Sequence, residues 1–269
     1  MGAGSMAGPM HDDPACSAAT SDGGMPAILM YHSVTPYEQD PYQITVTPER
    51  FEQQMRWLRR RGLRGASVRE VLDAHASGCG KGLVGLTFDD GYADFASCVL
   101  PVLKRYGFSA TAYVIAGRLG GDNEWDPEGP RKPLMTAEQV RQVADAGIEI
   151  GSHGLRHVSL PKAPGNALGD EIAGSRRVLQ DVSGQDVPGF CYPYGDIDGA
   201  VVEAVRAAGY DYGCAIWVSE HTGRHALPRI FAGESDTVPR LWAKGLRHWL
   251  TWGYRGPGAP SRSLASLHV

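Results

Sequence analysis

Three observations predict an α/β fold built on a parallel sheet. Short apolar runs rich in strand formers alternate along the chain with amphipathic helical patterns. Three predicted helices end on a glycine that leads straight into the next strand, at 106–108, 146–148 and 208–210. With 269 residues, 42% of them hydrophobic, the chain can bury one sizeable core. This alternation is typical of a parallel sheet that is either open or closed into a barrel.

Apolar runs bounded by turn residues predict the strands. The best defined run is Leu83–Phe88, which is followed by two aspartates and a glycine. The other strands are predicted at 26–31, 110–115, 148–151, 188–192, 212–217 and 226–230.

Helical spacing of apolar side chains, together with capping residues, predicts the helices. Thr47 and Pro48 open the first helix, and Ser67 with Glu70 makes a capping box for the second. The next pattern contains Pro101, which predicts a kink or two short helices. Further helices are predicted at 136–147, 168–184, 198–209 and 237–250.

Composition divides the chain into three parts. Residues 1–25 are mostly small and polar and show no periodicity, which predicts a flexible N-terminal arm. All the predicted strands and helices fall within 26–252. The tail at 253–269 is rich in Gly, Pro and Ser, which predicts a second flexible segment.

Charge and hydropathy exclude several classes of partner. The formal net charge is −4, and no run of Lys and Arg is long enough to indicate a nucleic-acid or membrane-surface footprint. The densest basic cluster, Arg59-Arg60-Arg61, is most simply the solvated last turn of a helix. Neither a transmembrane span nor a signal peptide is recognisable. We therefore expect a cytoplasmic protein with no nucleic-acid partner and no membrane insertion.

Two adjacent carboxylates, Asp89 and Asp90, follow the strand at 83–88. Two negative charges at the end of a buried strand require a cation, hydrogen-bond donors or water nearby. Taken alone, Asp-Asp-Gly is explained as well by a helix cap or an Asx-turn, with Asp94 a further cap candidate.

A second strand-like run ends in Ser152-His-Gly-Leu-Arg-His157. The carboxyl ends of parallel strands lie at one edge of the sheet, so His153 and His157 are expected near the aspartates. Two histidines and one carboxylate suit zinc and its neighbours and leave a position open for water. The second aspartate would then be free to act as a base. His32 and Pro193-Tyr194-Gly195 also follow predicted strands, and the irregular loop that contains Trp125 is long enough to rim a pocket.

Three of these stretches resemble, in order and spacing, the first three motifs of the polysaccharide deacetylase family, also called the NodB-homology family or carbohydrate esterase family four. They are Thr87-Phe-Asp-Asp-Gly91, Ser152-His-Gly-Leu-Arg-His157 and Tyr192-Pro-Tyr-Gly195. Ile28-Leu-Met-Tyr-His-Ser33 and Leu227-Pro-Arg-Ile230 resemble the branch that includes deacetylases of poly-β-1,6-N-acetylglucosamine.

The resemblance implies a distorted (β/α) barrel of about seven parallel strands, with 26–252 as the catalytic domain. It implies a hydrolase of carbon–nitrogen bonds that removes an N-acetyl group from an amino sugar or a glycan. It also implies a divalent metal, with Zn²⁺ the first choice and Co²⁺, Ni²⁺ or Mn²⁺ as alternatives.

By position, the resemblance makes Asp90, His153 and His157 the metal ligands and Asp89 the general base. The backbone N–H of Tyr194 would help stabilise the oxyanion. The residues that would complete the substrate-binding wall are Pro193, Trp217, Leu227 and Trp125.

Two positions depart from the family pattern. Many members carry Arg two residues before the Pro of Pro-Tyr-Gly, where it orients the base, and this chain has Cys191 there. Many carry a general-acid His where this chain has Arg229, a poor proton donor at neutral pH. His32 is the first substitute for the acid. Arg229 either orients Asp89 or holds an anionic group of the substrate.

Other functions remain open at this level. The same fold acts on other carbon–nitrogen bonds, in formamides, cyclic imides and ureides, and a small intracellular substrate fits the expected location. Less favoured are a non-catalytic carbohydrate-binding relative and a two-His-one-carboxylate iron oxygenase.

Overall fold

The structure, a computed structural model, describes residues 24–252. The predicted tail and all but the last two residues of the predicted arm lie outside this range. Among the described residues, no helix is long and apolar enough to cross a lipid bilayer.

The strands are β1 (Ile28–Tyr31), β2 (Ser33–Val34), β3 (Thr45–Val46), β4 (Arg64–Ala66), β5 (Leu83–Phe88), β6 (Thr111–Val114), β7 (Glu149–Ser152), β8 (Gly189–Cys191), β9 (Tyr212–Cys214) and β10 (Ile230–Phe231). The α-helices are α1 (Pro48–Arg60), α2 (Val68–Ala76), α3 (Leu100–Tyr106), α4 (Ala137–Asp145), α5 (Gly165–Gly169), α6 (Ser175–Ser183), α7 (Gly199–Ala207) and α8 (Val238–Trp252).

Eight parallel strands form one curled sheet in the order β10-β1-β5-β6-β7-β8-β9, with β4 paired to the first half of β5, and β2 pairs with β3 in a separate two-stranded parallel sheet. The segment around β10 joins the two ends of this sheet. Leu227 exchanges backbone hydrogen bonds with Gly213 and Ala215, and further along Ala232 donates to Met30 of β1. The α/β prediction and the expected distorted barrel of about seven parallel strands are therefore confirmed.

The N-cap side chains act where the sequence predicts helix starts, but the capping box predicted for Ser67 and Glu70 is only half formed, because the Glu70 carboxylate accepts from Arg64 and Ser109 and not from the backbone N–H of Ser67. The side chains of Thr47, Ser67, Thr136 and Asp198 each accept a hydrogen bond from the backbone N–H three residues on. The glycines of the three helix–strand joints have left-handed φ angles of 65°, 87° and 81°. A side chain at these positions would be strained, so glycine ends each helix and turns the chain into a strand.

Two helical regions are less regular than periodicity alone predicts. The region with Pro101 is a π-helical turn, Phe95–Val99, followed by α3, so the proline lies in the first turn of a new helix. The helix predicted at 168–184 is divided into α5, a second π-helical turn at Asp170–Gly174, and α6. Such π turns are frequent near functional sites.

Aromatic packing makes the end of β5 rigid. Phe88 stacks on Tyr31 at 5.2 Å between ring centroids, and it meets Phe51 and Phe95 edge-on at 5.7 and 5.0 Å. All four rings are buried. Because Phe88 directly precedes Asp89, this cluster fixes the backbone from which both aspartates project.

Candidate metal centre and active site

An open cleft of about 520 Å³ lies at the carboxyl ends of the strands. Of the residues predicted from the sequence, those that line it are His32, Asp89, Asp90, Trp125, His153, His157, Tyr194 and Trp217. The parallel sheet thus brings strand ends that are far apart in sequence into one concave site.

A second, larger cavity of about 750 Å³ is lined by fewer side chains suited to catalysis or metal binding. Of its two acidic lining residues Glu38 is exposed, and Asp94, which is partly exposed, accepts hydrogen bonds from Ser33 Oγ at 2.6 Å and from the backbone N–H of Val34 at 3.1 Å. Asp94 makes no side-chain cap to the helical turn that follows it, so it anchors the β1–β2 region instead of capping a helix.

Asp90, His153 and His157 form a compact group of ligand-type atoms. Asp90 Oδ1 lies 3.3 Å from His153 Nε2 and 3.4 Å from His157 Nε2, and all three side chains are buried. Asp90 Oδ1 and His157 Nδ1 have no hydrogen-bond partner. A buried carboxylate oxygen left unpaired between two imidazole nitrogens is costly unless a cation is shared among them, so this donor set fits a divalent metal.

The two histidines differ in how readily they take up a proton. His153 Nδ1 lies 2.8 Å from the carbonyl oxygen of Cys191, which fits a proton on Nδ1 and leaves Nε2 facing Asp90. Burial disfavours the charged form of His153, but the carboxylates of Asp90 and Asp89 outweigh it and raise the pKa of the ring, so a bound cation would replace a proton on Nε2. Burial lowers the pKa of His157 to about 4, which keeps that ring neutral. Burial opposes ionisation of Asp90, but the adjacent imidazoles outweigh it and hold its pKa well below the usual range.

Backbone strain is concentrated at this site. Of the four non-glycine residues with positive φ in the described chain, three line the cleft: Asp90 at 69°, His157 at 61° and Tyr194 at 61°. Such conformations cost free energy and persist where the surroundings impose them, typically at functional sites.

Glu171 holds the loop between the two histidines. Its buried carboxylate accepts the backbone N–H groups of Leu155 and Arg156 at 2.8 and 3.0 Å, and Arg156 Nε at 2.7 Å. The loop therefore has a fixed shape in which His153 and His157 converge. Sequence reasoning missed Glu171, because it lies on a different segment and no motif marks it.

Arg229 holds Asp89, the neighbour of Asp90 in the chain, and all five N–H donors of its guanidinium group make hydrogen bonds. Its Nη1 and Nη2 bind the two oxygens of Asp89 at 2.7 and 2.8 Å. The remaining donors reach Thr87 Oγ1 at 3.1 Å, Cys191 Sγ at 3.1 Å and the carbonyl oxygen of Ala215 at 3.0 Å.

The guanidinium keeps Asp89 ionised. Burial would raise the pKa of Asp89, but the charge and hydrogen bonds of Arg229 outweigh it and lower that pKa below its usual value. Asp89, His153 and Cys191 also place ligand-type atoms within 4.8 Å of one another. Both oxygens of Asp89 are taken by Arg229, and burial raises the pKa of the Cys191 thiol well above its usual value, so this second set is a poor metal site.

His32 faces the same carboxylate from the end of β1. Its Nε2 lies 3.9 Å from Asp89 Oδ2, and its buried Nδ1 has no hydrogen-bond partner. The ring is only partly exposed and lines the cleft. His32, the substitute acid expected from the sequence, is therefore placed in the cleft beside Asp89.

Aromatic side chains form the walls of the cleft. Trp125 and Tyr194 flank His157 with ring centroids at 4.6 and 4.5 Å, and Trp217 stands at the rim with 72% of its surface exposed. Leu227 and Pro193, predicted as part of the wall, are buried and are not among the residues that line the cleft.

Several lining residues were not predicted from the sequence, and two of them, Tyr42 and Asp126, carry polar groups. Tyr42 enters from the segment between β2 and β3, and Asp126 from the loop that carries Trp125. Burial and the nearby Asp90 raise the pKa of Asp126 to about 6. Nothing in the local sequence distinguishes them from ordinary loop residues, since only the fold brings them to the cleft.

Comparison with known proteins points to one family. The sequence profile of the family described as polysaccharide deacetylase matches residues 77–213, about half of the chain. YxkH of Bacillus subtilis (strain 168), whose name places it among polysaccharide deacetylases, is 28% identical over 225 residues, covering 82% of this chain and 76% of its own length. The poly-β-1,6-N-acetyl-D-glucosamine N-deacetylase of Staphylococcus aureus (strain MSSA476) is 23% identical, covering 71% of this chain and 68% of its own length.

Solved structures agree with these sequence matches. The Streptococcus pyogenes deacetylase PplD, determined in complex with acetate, superposes with a TM-score of 0.69 at 25% identity, covering 82% of this chain and 97% of PplD. IcaB from Ammonifex degensii superposes with the same TM-score of 0.69 at 24% identity, covering 83% of this chain and 97% of IcaB, and shows that the fold is shared. The matched profile, which includes Asp89, Asp90, His153 and His157, places the chain in the polysaccharide deacetylase family, as a hydrolase of carbon–nitrogen bonds other than peptide bonds.

Proposed function

We propose that this protein removes an N-acetyl group from an amino sugar carried by a glycan or a glycoside. The observation that carries the proposal is an ionised, Arg229-bound Asp89 beside the Asp90–His153–His157 group, at the base of an open aromatic cleft. The S. aureus relative, named for deacetylation of poly-β-1,6-N-acetyl-D-glucosamine, supports an amino-sugar substrate.

Asp90, His153 and His157 would hold the divalent ion, and we propose Zn²⁺, with Co²⁺, Ni²⁺ or Mn²⁺ as alternatives. Such an ion supplies Lewis-acid polarisation of the acetyl carbonyl and activation of water.

The remaining steps belong to the protein's own side chains. Asp89 removes the proton from the attacking water, because Arg229 keeps its carboxylate ionised and correctly oriented. The backbone N–H of Tyr194 donates to the oxyanion, a contribution of roughly 3 kcal/mol for a well-placed donor. His32 donates a proton to the leaving amine, since Arg229 has no donor left to offer and holds its protons too firmly.

The rim of the cleft suits a sugar ring. Trp217 is 72% exposed and Tyr194 is 50% exposed, so both present aromatic surface to solvent beside the base. Flat aromatic faces bind the apolar faces of pyranose rings, while the polar groups at the base set orientation. Trp125 and Tyr42 extend this surface across the cleft.

The test combines metal analysis with acetate release. We expect about one divalent ion per purified chain, and acetate from N-acetylglucosamine oligomers or small N-acetylated glycosides. Asp90→Asn should lose the ion and the activity, because it removes the anionic ligand between the two imidazoles. The matched control is Asp145→Asn, an exposed carboxylate on α4, which should keep both.

Each other result has a clear meaning. If the protein binds a metal but releases no acetate from any of these sugars, the proposed substrate changes to another carbon–nitrogen compound, such as a formamide, cyclic imide or ureide. Equal metal content in wild type and Asp90→Asn would contradict the ligand assignment. The proposed cytoplasmic location is tested separately, by fractionation of cells that express the native gene.

A further inference from the structure

Helix α8 carries an apolar stripe that faces solvent. Trp242, Leu246, Trp249 and Leu250 are 47%, 38%, 59% and 66% exposed. Their spacing of four, seven and eight residues places them on one side of the helix. Together they form four of the eight large hydrophobic side chains that are exposed in the described chain, so the stripe is a concentrated patch and not scattered surface.

The opposite side of α8 is anchored to the barrel. Leu241 is buried, and Lys244 Nζ donates to the carbonyl oxygen of Phe231 at 2.8 Å and to Asp236 Oδ2 at 2.6 Å. His248 Nε2 lies 2.9 Å from the carbonyl oxygen of Met25. Since these contacts fix the rotation of the helix, the outward direction of the stripe is a property of the folded protein.

An apolar groove of about 360 Å³ adjoins the stripe. It lies beside the starts of β1 and β5, at the end of the barrel opposite the catalytic cleft, whose residues follow the carboxyl ends of the same strands. Arg61 is the only charged residue that lines it. The lining side chains outside α8 are Ala27, Leu29, Trp57, Leu63, Leu83, Val84 and Ile230.

Cations surround this apolar surface. Arg240 and Arg247 are exposed on α8, which itself contains no Asp or Glu, although Arg240 Nε lies 3.9 Å from Asp236 Oδ1. Helices α1 and α8 are in contact, and Arg61, which follows α1, lines the groove, with Arg59 and Arg60 exposed beside it in the chain. A second copy docked through this face would bring like charges together, whereas an anionic surface complements them.

We propose that this face, formed by α8 and the last turn of α1, binds the surface of an anionic phospholipid bilayer. Trp and Leu side chains along a helix that also exposes Arg are typical of helices that lie in the headgroup region. The arginines would meet lipid phosphates, so the proposal revises the expectation from sequence that the chain has no membrane-surface footprint: that expectation considered runs of Lys and Arg, and only the fold brings the cations of α1 and α8 together. The catalytic cleft, at the other end of the strands, would stay open to solvent.

Vesicle co-sedimentation of the full chain tests the proposal. We expect binding to vesicles that contain phosphatidylglycerol and little binding to pure phosphatidylcholine, with affinity that falls as salt is added. Arg247→Gln should weaken partitioning about fivefold, and Arg240→Gln with Arg247→Gln about 25-fold. Trp249→Ser should also release the protein from the vesicles.

Matched controls lie elsewhere on the surface. Arg177→Gln removes an exposed cation from α6, and Trp217→Ala removes an exposed Trp at the cleft, so both should bind vesicles like wild type. A blue shift of tryptophan fluorescence in the unaltered protein, induced only by anionic vesicles, provides a readout that needs no variant.

Three results would overturn the proposal. The first is equal binding to both kinds of vesicle, or binding to neither. The second is an equal loss of binding in Arg177→Gln and Arg247→Gln, which would indicate unspecific charge attraction. The third is a dimer in light scattering that Trp249→Ser dissociates, which would assign the face to a second copy.

Discussion

Arg229 illustrates at the scale of one residue how this site departs from the family pattern. The position expected to carry an orienting Arg holds Cys191, and the position expected to carry an acidic His holds Arg229. In the structure Arg229 donates two hydrogen bonds to the carboxylate of Asp89 and a third to Cys191 Sγ. We propose that Arg229 orients Asp89 from this different segment, next to the smaller Cys191.

Arg229→Lys is expected to lower kcat about 10²-fold while metal content and KM stay close to wild type. A lysine keeps the charge but cannot bind both oxygens of Asp89, so the base loses its orientation. Arg224→Lys, at an exposed arginine that donates to the carbonyl oxygen of Asp211, is the matched control and should be silent. Steady-state kinetics with parallel metal analysis measures the effect, and an unchanged kcat would remove Arg229 from the mechanism.

His32→Gln is expected to lower kcat by 10²- to 10⁴-fold, the usual contribution of a general acid. Metal content should be unaffected, because His32 is not part of the Asp90–His153–His157 group. His221→Gln is the control, since His221 pairs with Glu220 outside the cleft. If His221→Gln were the more damaging change in single-turnover assays, the acid would have to be reassigned.

Most residues of the site could be predicted from the sequence, because the carboxyl ends of the strands in a parallel sheet lie at one edge and bring the residues that follow them together. Asp89, Asp90, His153, His157 and His32 all lie at such ends and all line the cleft. The bond between Arg229 and Asp89 could be stated only as one alternative, since it depends on how the last segment docks. Glu171 and Asp126 could not be predicted as parts of the site, because their positions there depend on contacts between distant segments and not on local spacing.

At the scale of the elements, capping chemistry predicted helix starts well, and apolar periodicity predicted their interiors less well. The four capping side chains act at their expected positions, because an N-cap is a local interaction. The two π-helical turns were missed, because one extra residue in a turn leaves a pattern that still looks helical. Strand β9 ends at Cys214, short of the predicted 217, since the following residues turn towards the cleft.

Gly189→Ala in β8 is expected to destabilise the protein by about 1–3 kcal/mol through overpacking. A Cβ there would lie 2.2 Å from Oη of Tyr212, which is fully buried and hydrogen-bonded to Glu149, so the ring cannot swing aside. The free energy of unfolding in urea measures the change. Gly169→Ala, where a Cβ would meet nothing within 4 Å, is the control and should be neutral or slightly stabilising. Equal stability of the two variants would contradict the packing seen here.

At the scale of the whole molecule, the two ends of the described chain close the barrel together. Gln54 of α1 is buried, accepts the hydroxyl of Tyr31 at 3.0 Å, and donates to the carbonyl oxygens of Gly233 and Asp236 at 3.2 and 2.9 Å. One side chain thus ties β1, α1 and the segment after β10. The sequence predicted a parallel sheet but not this closure, which depends on contacts between residues about 180 positions apart.

Gln54→Leu is expected to lower the free energy of unfolding by about 1–3 kcal/mol, since it removes the partner of the buried Tyr31 hydroxyl and of the carbonyl oxygen of Asp236, while the carbonyl oxygen of Gly233 keeps the backbone N–H of Asp236. The neighbouring Gln53→Leu changes an exposed side chain and should have little effect. Chemical denaturation measures the free energy of unfolding of both variants. Similar curves would show that the closure does not depend on this residue.

The way the barrel closes has a consequence for the order in which the protein becomes active during synthesis. The proposed metal ligands follow β5 and β7, so they are complete once residue 157 has emerged, whereas Arg229 arrives some seventy residues later with the closing segment. A nascent chain could therefore bind its ion long before its base is aligned. Maturation would end with the docking of the final strand, which makes an intact barrel a precondition for turnover.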